Sequence, residues 1–329
     1  MRKMNGPLKR MALAVLMAAS CTALAVEQTP DVKPQLQIQP AEHVSGASAA
    51  QILAATHAGP RIVAVGDHGV VLLSDDAGKT YRQATTVPIN STLTAVSFAD
   101  ARTGWAVGHW GAIVKTTDGG ETWTLQRSDT SVDQPLFSVY FRDSREGWAV
   151  GLWSLMLHTS DGGMTWSTVK LPAPPGQKKA DRNLYAIFAN PKGDLFVACE
   201  QGRVLRSTDG GNTWTYAETG YAGSFWTGVA LKDGVLLVGG LRGAIYRSPD
   251  GGEHWQSVQT PFGSAITALI QRLDGSVTAI GLNGTLLSSR DDGVSFTHQT
   301  REDRAELTAQ VEAPDGTLVL FSEHGQVKN

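Results

Sequence analysis

The sequence predicts an all-β protein, a seven-bladed β-propeller made of four-stranded antiparallel blades. One observation is an eight-residue motif, exemplified by residues 116–123, with Ser or Thr first, Asp third, Gly fifth and an aromatic residue last. The motif occurs six times, and its aspartates are separated by 41 to 48 residues. Short strands repeated with a period in the low forties are typical of propeller blades. A second observation is that 36 glycines in 329 residues suit many short strands joined by tight turns.

The N-terminus has the features of a secretory signal peptide. Basic residues precede an apolar core at 11–19, and the small residues 23–25 form a cleavage site. We therefore expect a signal peptide over residues 1–25, cleaved near Ala25, and a periplasmic or secreted mature protein. A second interpretation stays open, in which the protein is a lipoprotein anchored through an acylated Cys21.

The charge balance argues against nucleic acid as a partner. The sequence has 28 basic and 31 acidic residues, and four of the basic residues fall in the signal peptide, so the mature chain carries a net charge of about −7. A protein that binds a polyanion normally has the opposite sign. After cleavage only Cys199 remains, so an intrachain disulfide is excluded in the mature chain.

The blades follow the motif in a regular order. Residues 26–49 form an N-terminal segment, and residues 50–329 form the propeller. The duplication is plainest at 104–108 and 147–151, which share the sequence Gly-Trp-Ala-Val-Gly. The seventh unit has no copy of the motif and lacks an outer strand. We expect the alternating segment 35–39 to supply that strand, so that the N-terminus completes the last blade and closes the ring.

The motif is predicted to be a folding device. Its aspartate accepts hydrogen bonds from its own turn, its glycine adopts backbone angles that a side chain disfavours, and its aromatic residue packs between blades. Six calcium or sugar sites are the functional alternative, but each motif offers one carboxylate, whereas calcium takes six to eight oxygen ligands. We therefore assign no metal and no cofactor. The structural residues are Asp76, Asp118, Asp161, Asp209, Asp250, Asp291, Trp123, Trp166, Trp214 and Trp255.

These motifs are the Asp-box, or BNR, repeat. Together with the Gly-Trp-Ala-Val-Gly strands, they make the mature chain resemble the photosystem II stability and assembly factor-like propellers, in their bacterial non-photosynthetic branch. The resemblance implies a seven-bladed, non-enzymatic scaffold, which in photosynthetic organisms assists assembly of the reaction centre. In other bacteria it implies an exported accessory protein for a membrane or envelope complex, such as a transporter of the resistance-nodulation-division type. We expect such a partner, no small-molecule substrate, and a protein that is monomeric on its own.

The face opposite the boxes is the predicted binding face. Turns between second and third strands share it with the blade-to-blade connections, and the repeats differ there. Trp110 and Trp153, on adjacent blades, either form an aromatic platform or pack locally, and the sequence leaves both open. The connection at 170–183 is predicted to be a mobile basic loop on the same face. The candidate binding residues are His68, His109, Trp110, Trp153, Gln201, Arg242, Asn283, His324, Lys178, Lys179 and Arg182.

Two other functions, a zinc site and a glycosidase, are alternatives to a scaffold. Blades 7, 1 and 2 bring His324, His68 and His109 into one sector, but no close spacing presets a zinc site. A secreted sialidase-like glycosidase or a carbohydrate-binding propeller is the alternative function, because sialidases carry the same box. A sialidase needs an arginine cluster and a nucleophile on the inner strands, whereas inner strands such as 93–98 are apolar and small. We therefore predict no catalytic residue.

Overall fold

The protein is an all-β propeller in a computed structural model that describes residues 38–260 and 263–328. Within these residues, 27 strands form seven antiparallel sheets arranged in a ring, which confirms the predicted fold class. The predictions for the signal peptide, for Cys21 and for residues 35–37 concern positions outside the described ranges. Over the described ranges, no helix has the length and apolarity that a membrane span requires.

Each blade is a meander in which every strand pairs with the next one along the chain. Blade 1 contains β1 (Ile52–Ala58), β2 (Arg61–Gly66), β3 (Val71–Ser74) and β4 (Arg82–Gln83). Blade 2 contains β5 (Leu93–Phe98), β6 (Gly104–Gly108), β7 (Ile113–Thr116) and β8 (Thr124–Arg127). Blade 3 contains β9 (Leu136–Phe141), β10 (Gly147–Gly151), β11 (Met156–Thr159) and β12 (Ser167–Thr168).

The remaining blades repeat this order. Blade 4 contains β13 (Leu184–Ala189), β14 (Leu195–Cys199), β15 (Arg203–Ser207) and β16 (Thr215–Glu218). Blade 5 contains β17 (Phe225–Ala230), β18 (Leu236–Gly240), β19 (Ile245–Ser248) and β20 (Gln256–Val258). Blade 6 contains β21 (Ile266–Gln271), β22 (Val277–Gly281), β23 (Thr285–Ser289) and β24 (Thr297–Thr300). Blade 7 contains β25 (Leu307–Glu312), β26 (Leu318–Ser322) and β27 (Gly325–Val327). Short 3-10 helices span Ala47–Ala49, Asp67–Gly69, His109–Gly111, Leu152–Ser154 and Leu241–Gly243.

The second strand of each blade forms the core. All five residues of β6, β10, β14, β18 and β22 are buried. Adjacent blades cover these strands on both sides, so their sequences are continuous apolar runs in place of alternating ones. The inner strands β1, β5, β9, β13, β17, β21 and β25 are only partly buried.

The ring closes by direct contact between blades 7 and 1. The Thr308 hydroxyl donates to the carbonyl oxygen of Ile52, and His57 Nε2 donates to the carbonyl oxygen of Glu312 at 2.7 Å. Ile52 and Phe321 are fully buried in one shared apolar cluster. Blade 7 therefore packs on blade 1 through the same kind of core that joins the other blades.

The described part of blade 7 has three strands, and its fourth strand remains a prediction. Of the segment 35–39, only Ile38 and Gln39 are described, and both are exposed and outside any strand. Ile38 lines a cleft with Ile89 and Trp110, on blades 1 and 2. Its neighbour Ala41 donates its backbone N–H to Val87 at 3.0 Å. These contacts place residues 38–41 beside blades 1 and 2.

The six Asp-boxes are closed hydrogen-bonded turns between third and fourth strands. In box 2, Asp118 Oδ1 accepts from the Thr116 hydroxyl at 2.8 Å and from the Thr122 N–H at 3.0 Å. Asp118 Oδ2 accepts from the Thr122 hydroxyl at 2.5 Å, and the Thr116 hydroxyl in turn accepts from the Gly120 N–H at 3.0 Å. The other boxes repeat this arrangement, with His254 Nδ1 replacing the threonine hydroxyl in box 5 at 2.7 Å.

The second small residue of each box fits against the preceding blade. It is a glycine with φ between +78° and +91° in all six boxes. A Cβ added at any of them would lie within 3.4 Å of a second-strand side chain of the blade before. The glycine and neighbour pairs are Gly78 and Val319, Gly120 and Val63, Gly163 and Trp105, Gly211 and Trp148, Gly252 and Phe196, and Gly293 and Leu237. The boxes thus connect consecutive blades as well as closing their own turns.

Two adjacent glycines of box 5 separate backbone strain from contact between blades. A Cβ at Gly252 would lie 2.9 Å from Phe196 of blade 4, whereas one at Gly251 would meet nothing within 4 Å, and both residues have positive φ. We expect Gly251→Ala to lower the free energy of unfolding by about 1 kcal/mol and Gly252→Ala by about 2 to 4 kcal/mol. Urea denaturation measures both values. Equal losses would show that the contact between blades contributes nothing.

The boxes also predict how stability depends on pH. The hydrogen bond from the Thr213 hydroxyl is the main cause that lowers the pKa of Asp209 to about 2, below its ordinary value of 3.8. Because the folded-state pKa is the lower one, this stabilisation is complete above about pH 4 and is lost as the pH falls through 2. We expect Asp209→Asn to lower the urea midpoint at pH 7, and this difference from the wild type to shrink between pH 4 and 2. A constant difference over that range would contradict the assignment.

Candidate binding face

Seven turns and six blade-to-blade connections share one face, here named the turn face, and the boxes occupy the other, the box face. Each turn joins the second and third strands of one blade. The connection that enters a blade runs beside the turn of that blade, as when His109 donates its N–H to Thr92 at 3.0 Å and Leu241 to Ser224 at 3.0 Å. Turns and connections therefore form one continuous surface.

Most turns hold a large side chain in the left-handed region, where glycine is usual. The φ angles of the second turn residue lie between 53° and 59° in six turns. These residues are His68, Trp110, Trp153, Gln201, Arg242 and Asn283. A side chain in this conformation costs about 1 kcal/mol relative to glycine. All six are candidate residues from the sequence, and five of them are exposed, Trp110 being the exception.

Side chains from the connections hold the turn backbone in place. The Asp133 carboxylate accepts from the Trp110 N–H at 3.0 Å and lies 3.3 Å from His109 Nδ1. Asn183 Oδ1 accepts from the Trp153 N–H at 3.1 Å. Because the second residue is fixed through its backbone, its side chain is not needed for the turn and is presented on a rigid base.

The two turn tryptophans lie in different environments. Trp153 is 57% exposed, and no other large apolar residue in the described turns between second and third strands is as exposed. Trp110 is half-buried and lines a cleft of about 250 Å³ with Ile38, Ile89 and Ser128. Trp110 is therefore partly covered by its surroundings, whereas the Trp153 ring is exposed.

The connection at 170–183 is basic, but the structure corrects its role at Arg182. Lys178 and Lys179 are exposed as expected, while Leu171 is buried and anchors the loop. Arg182 is only 9% exposed, because its backbone pairs with the turn residue Ser154: Ser154 donates its N–H to the Arg182 carbonyl at 2.7 Å. The Arg182 guanidinium is held under the loop, 3.0 Å from Asp181, and is not a free cation.

The three histidines of the zinc hypothesis are engaged separately or exposed. His109 contacts Asp133, and His324 Nε2 lies 3.5 Å from Glu323 of its own turn. His68 is exposed on the turn of blade 1. Among residues 38–260 and 263–328, no group of three or more histidines, cysteines or carboxylates could hold a metal ion.

The structure adds a feature of the turn face that the sequence reasoning missed. Every inner strand has a register shift, which leaves its second residue unpaired at the end nearest the turn face. We name these seven positions the inner rim: Leu53, Thr94, Phe137, Tyr185, Trp226, Thr267 and Thr308. Blades 3, 4 and 5 carry consecutive aromatic residues there. Phe137 and Tyr185 are stacked, with ring centroids 5.5 Å apart and planes at 19°.

Hydrogen bonds connect the rim to the turn of Trp153. Asn183, which holds the Trp153 N–H, donates through Nδ2 to the Glu200 carboxylate at 2.8 Å and lies 3.5 Å from the Tyr185 hydroxyl. Burial, with a smaller contribution from the Glu200 charge, raises the pKa of Tyr185 above its ordinary value. Alignment of the seven inner strands by their second residue would have revealed the change from threonine to aromatic residues.

A comparison with protein families agrees with the boxes and the blade geometry. The family model described as Photosynthesis system II assembly factor YCF48 matches residues 82–234, which include all of blades 2 to 4. The resemblance inferred from the sequence is confirmed. Over residues 82–234, the chain is similar to the YCF48 family. Among curated proteins, none matches it.

Solved structures show the same architecture at low identity. The structure titled "YCF48 bound to D1 peptide" is 19% identical with a TM-score of 0.69, covering 89% of this chain and 100% of that one. YCF48 from Cyanidioschyzon merolae is 15% identical with a TM-score of 0.65, covering 88% and 96%. The extracellular domain of a hybrid two component system from B. thetaiotaomicron is 12% identical with a TM-score of 0.67, covering 88% of this chain and 39% of that one. These similarities show the fold.

Two arginines that follow inner strands, Arg102 and Arg142, lie on the box face, at the end opposite the rim. Arg102 Nε donates to the Thr117 carbonyl at 3.2 Å, and the Arg142 guanidinium lies over the Trp148 ring, 5.0 Å from its centroid. Both side chains therefore stabilise the box face.

Replacing each turn tryptophan by glycine shows whether its ring stabilises the fold by packing or is exposed without contributing to stability. Both residues lie in the left-handed region, so glycine relieves about 1 kcal/mol of backbone strain in each case. We expect Trp153→Gly to leave the free energy of unfolding unchanged or to raise it by up to about 1 kcal/mol. We expect Trp110→Gly to lower it by about 1 to 2 kcal/mol, because a half-buried ring is lost from its cleft. Urea denaturation gives both values, and a large loss in Trp153→Gly would assign that ring to packing.

Proposed function

We propose that the chain is an exported, non-enzymatic propeller that binds a segment of a membrane protein on its turn face and acts as an assembly or accessory scaffold. The observation that carries the proposal is Trp153, a tryptophan 57% exposed on a turn whose backbone is fixed by Asn183. Tryptophan on a rigid surface is typical of protein interfaces, because the ring contributes a large contact area and loses little conformational entropy.

The family and one solved relative support a peptide partner. The family model is described as an assembly factor, and the solved YCF48 is titled as bound to a D1 peptide. We infer that this chain likewise binds an extended segment of its partner. In an exported protein the partner is an envelope complex, and a transporter of the resistance-nodulation-division type is one such complex.

Two exposed lysines beside the Trp153 turn would orient the partner on this interface. Lys178 and Lys179 are exposed on the loop that ends beside the Trp153 turn, in a chain whose net charge is −3. A local basic loop on an acidic protein guides an acidic part of the partner toward that side of the face. Arg182 has no part in this attraction, since it is buried against Asp181.

Copurification from the native envelope tests the proposal. We expect tagged wild-type protein to retain one or more membrane proteins, identified by mass spectrometry, and Trp153→Ala to reduce their recovery at least tenfold. Met164→Ala is the matched control, because Met164 is 75% exposed on the box face and its loss should change nothing. The double variant Lys178→Glu, Lys179→Glu should lower the recovery of membrane proteins and make that recovery less dependent on salt. Equal recovery with Trp153→Ala and wild type would contradict the proposed surface.

A further inference from the structure

The inner rim has a threonine group and an aromatic group, and Leu53 on blade 1 belongs to neither. On blades 2, 6 and 7 the rim residue is a threonine whose hydroxyl donates to the first inner-strand residue of the next blade. Thr94 donates to Leu136 at 2.6 Å, and Thr267 to Leu307 at 2.8 Å. On blades 3, 4 and 5 the rim residues Phe137, Tyr185 and Trp226 replace that hydrogen bond by half-buried aromatic rings.

A carboxylate without an ion-pair partner lies beside the Tyr185 ring. Glu200, in the turn of blade 4, is partly buried and accepts from the Asn183 N–H at 3.0 Å and from Asn183 Nδ2 at 2.8 Å. Its charge is felt by the Tyr185 hydroxyl. No lysine, arginine or histidine of the described chain forms an ion pair with Glu200.

The rings are likewise without a cation. The cation–π contacts of the described residues are Lys115 on Trp105 and Arg142 on Trp148, and both lie elsewhere in the fold. Within the described residues, no lysine or arginine contacts these three rings, and Glu200 is held in a fixed orientation beside Tyr185.

We propose that this part of the rim, formed by Phe137, Tyr185, Trp226 and Glu200, binds a lysine or arginine side chain of a peptide. Aromatic faces attract a cation through their quadrupole, and a carboxylate adds a charge-assisted hydrogen bond. The site rests on the proposed function, because the cation is taken to belong to the segment bound on the turn face. It deepens that function by naming the side chain that enters the rim.

Other occupants fit this arrangement less well. An apolar side chain would remove water from Glu200 without giving the carboxylate a partner, which is unfavourable. An acidic side chain would be repelled by Glu200. A cation satisfies both the rings and the carboxylate, and it complements the net negative charge of the chain.

The test uses two short peptides that differ only in charge. Acetyl-Gly-Arg-Gly-amide is titrated into the full-length protein against the same peptide with citrulline, which has nearly the same shape but no charge. The indole N–H resonance of Trp226 is followed by NMR, assigned through its absence in Trp226→Leu. We expect saturable shifts with the arginine peptide and at least tenfold weaker binding of the citrulline peptide. Equal binding of the two peptides, or no shift with either, would overturn the proposal.

Variants locate the site. Trp226→Leu keeps apolar bulk but removes a π face, and Glu200→Gln removes the charge. Each should weaken binding of the arginine peptide at least fivefold. In Trp226→Leu, binding is followed through the Tyr185 ring resonances. Met164→Ala, on the box face, lies outside the site and should bind within twofold of wild type. Thermal melts identify any variant that is not folded. If Glu200→Gln does not fold, the arginine and citrulline comparison in the wild type still decides.

The same variants separate this inference from the proposed function. Trp153→Ala could lose the envelope partner while Trp226→Leu and Glu200→Gln retain it. That result would contradict the cation site and support binding on the turn face. Binding of the arginine peptide by a protein that retains no envelope partner would do the reverse. Recovery that falls in all three variants would support both.

Discussion

The contact between each Asp-box and the preceding blade is the interaction on which the fold depends. A propeller has no single central core, so each blade is stable only if its neighbours cover both sides of it. Gly211 lies so close to Trp148 that a methyl group would not fit between them, and the same approach recurs around the ring. The box supplies that fit by hydrogen bonds within its own turn, which hold the glycine at a positive φ.

Because the boxes hold neighbouring blades together, side chains on the turn face are not required for contact between blades. On the box face the side chains of Asp, Ser and Thr are committed to the turn, so they cannot vary without loss of stability. On the turn face the corresponding work is done by backbone groups and by connection residues such as Asp133 and Asn183. The second turn residue contributes nothing to its own turn through its side chain. It can therefore be Trp153 in one blade and Arg242 in another at the same modest backbone cost.

The limits of prediction follow from the same difference between the two faces. Blade number and strand order were predictable because the box aspartates recur in the sequence at a nearly constant distance. Arg182 was not, since its burial arises from backbone pairing with Ser154, 28 residues away, and its type alone suggests exposure. Blade 7 has no box, so the sequence has no local signal there to show which segment completes it. The rim residues escaped notice because a register shift in the inner strand, invisible in the sequence, turns their side chains out of the blade.

The aromatic rim residues lack a hydrogen bond that stabilises the ring at the threonine positions. A threonine at this position joins neighbouring blades by a hydrogen bond worth about 0.5 to 1.5 kcal/mol. Phe137 and Trp226 have no hydroxyl and cannot form it, and their rings stay half exposed, so they recover only part of the free energy of burial. Fold stability alone would favour threonine on every blade. The aromatic residues are confined to three consecutive blades. Tyr185 lies beside Glu200, which has no ion-pair partner among the described residues, and Asn183 connects this carboxylate to the turn of Trp153. Ligand binding best explains this loss of stability, because the residues that cause it have complementary binding chemistry. In this part of the ring, the repeats differ in chemistry and not only in sequence.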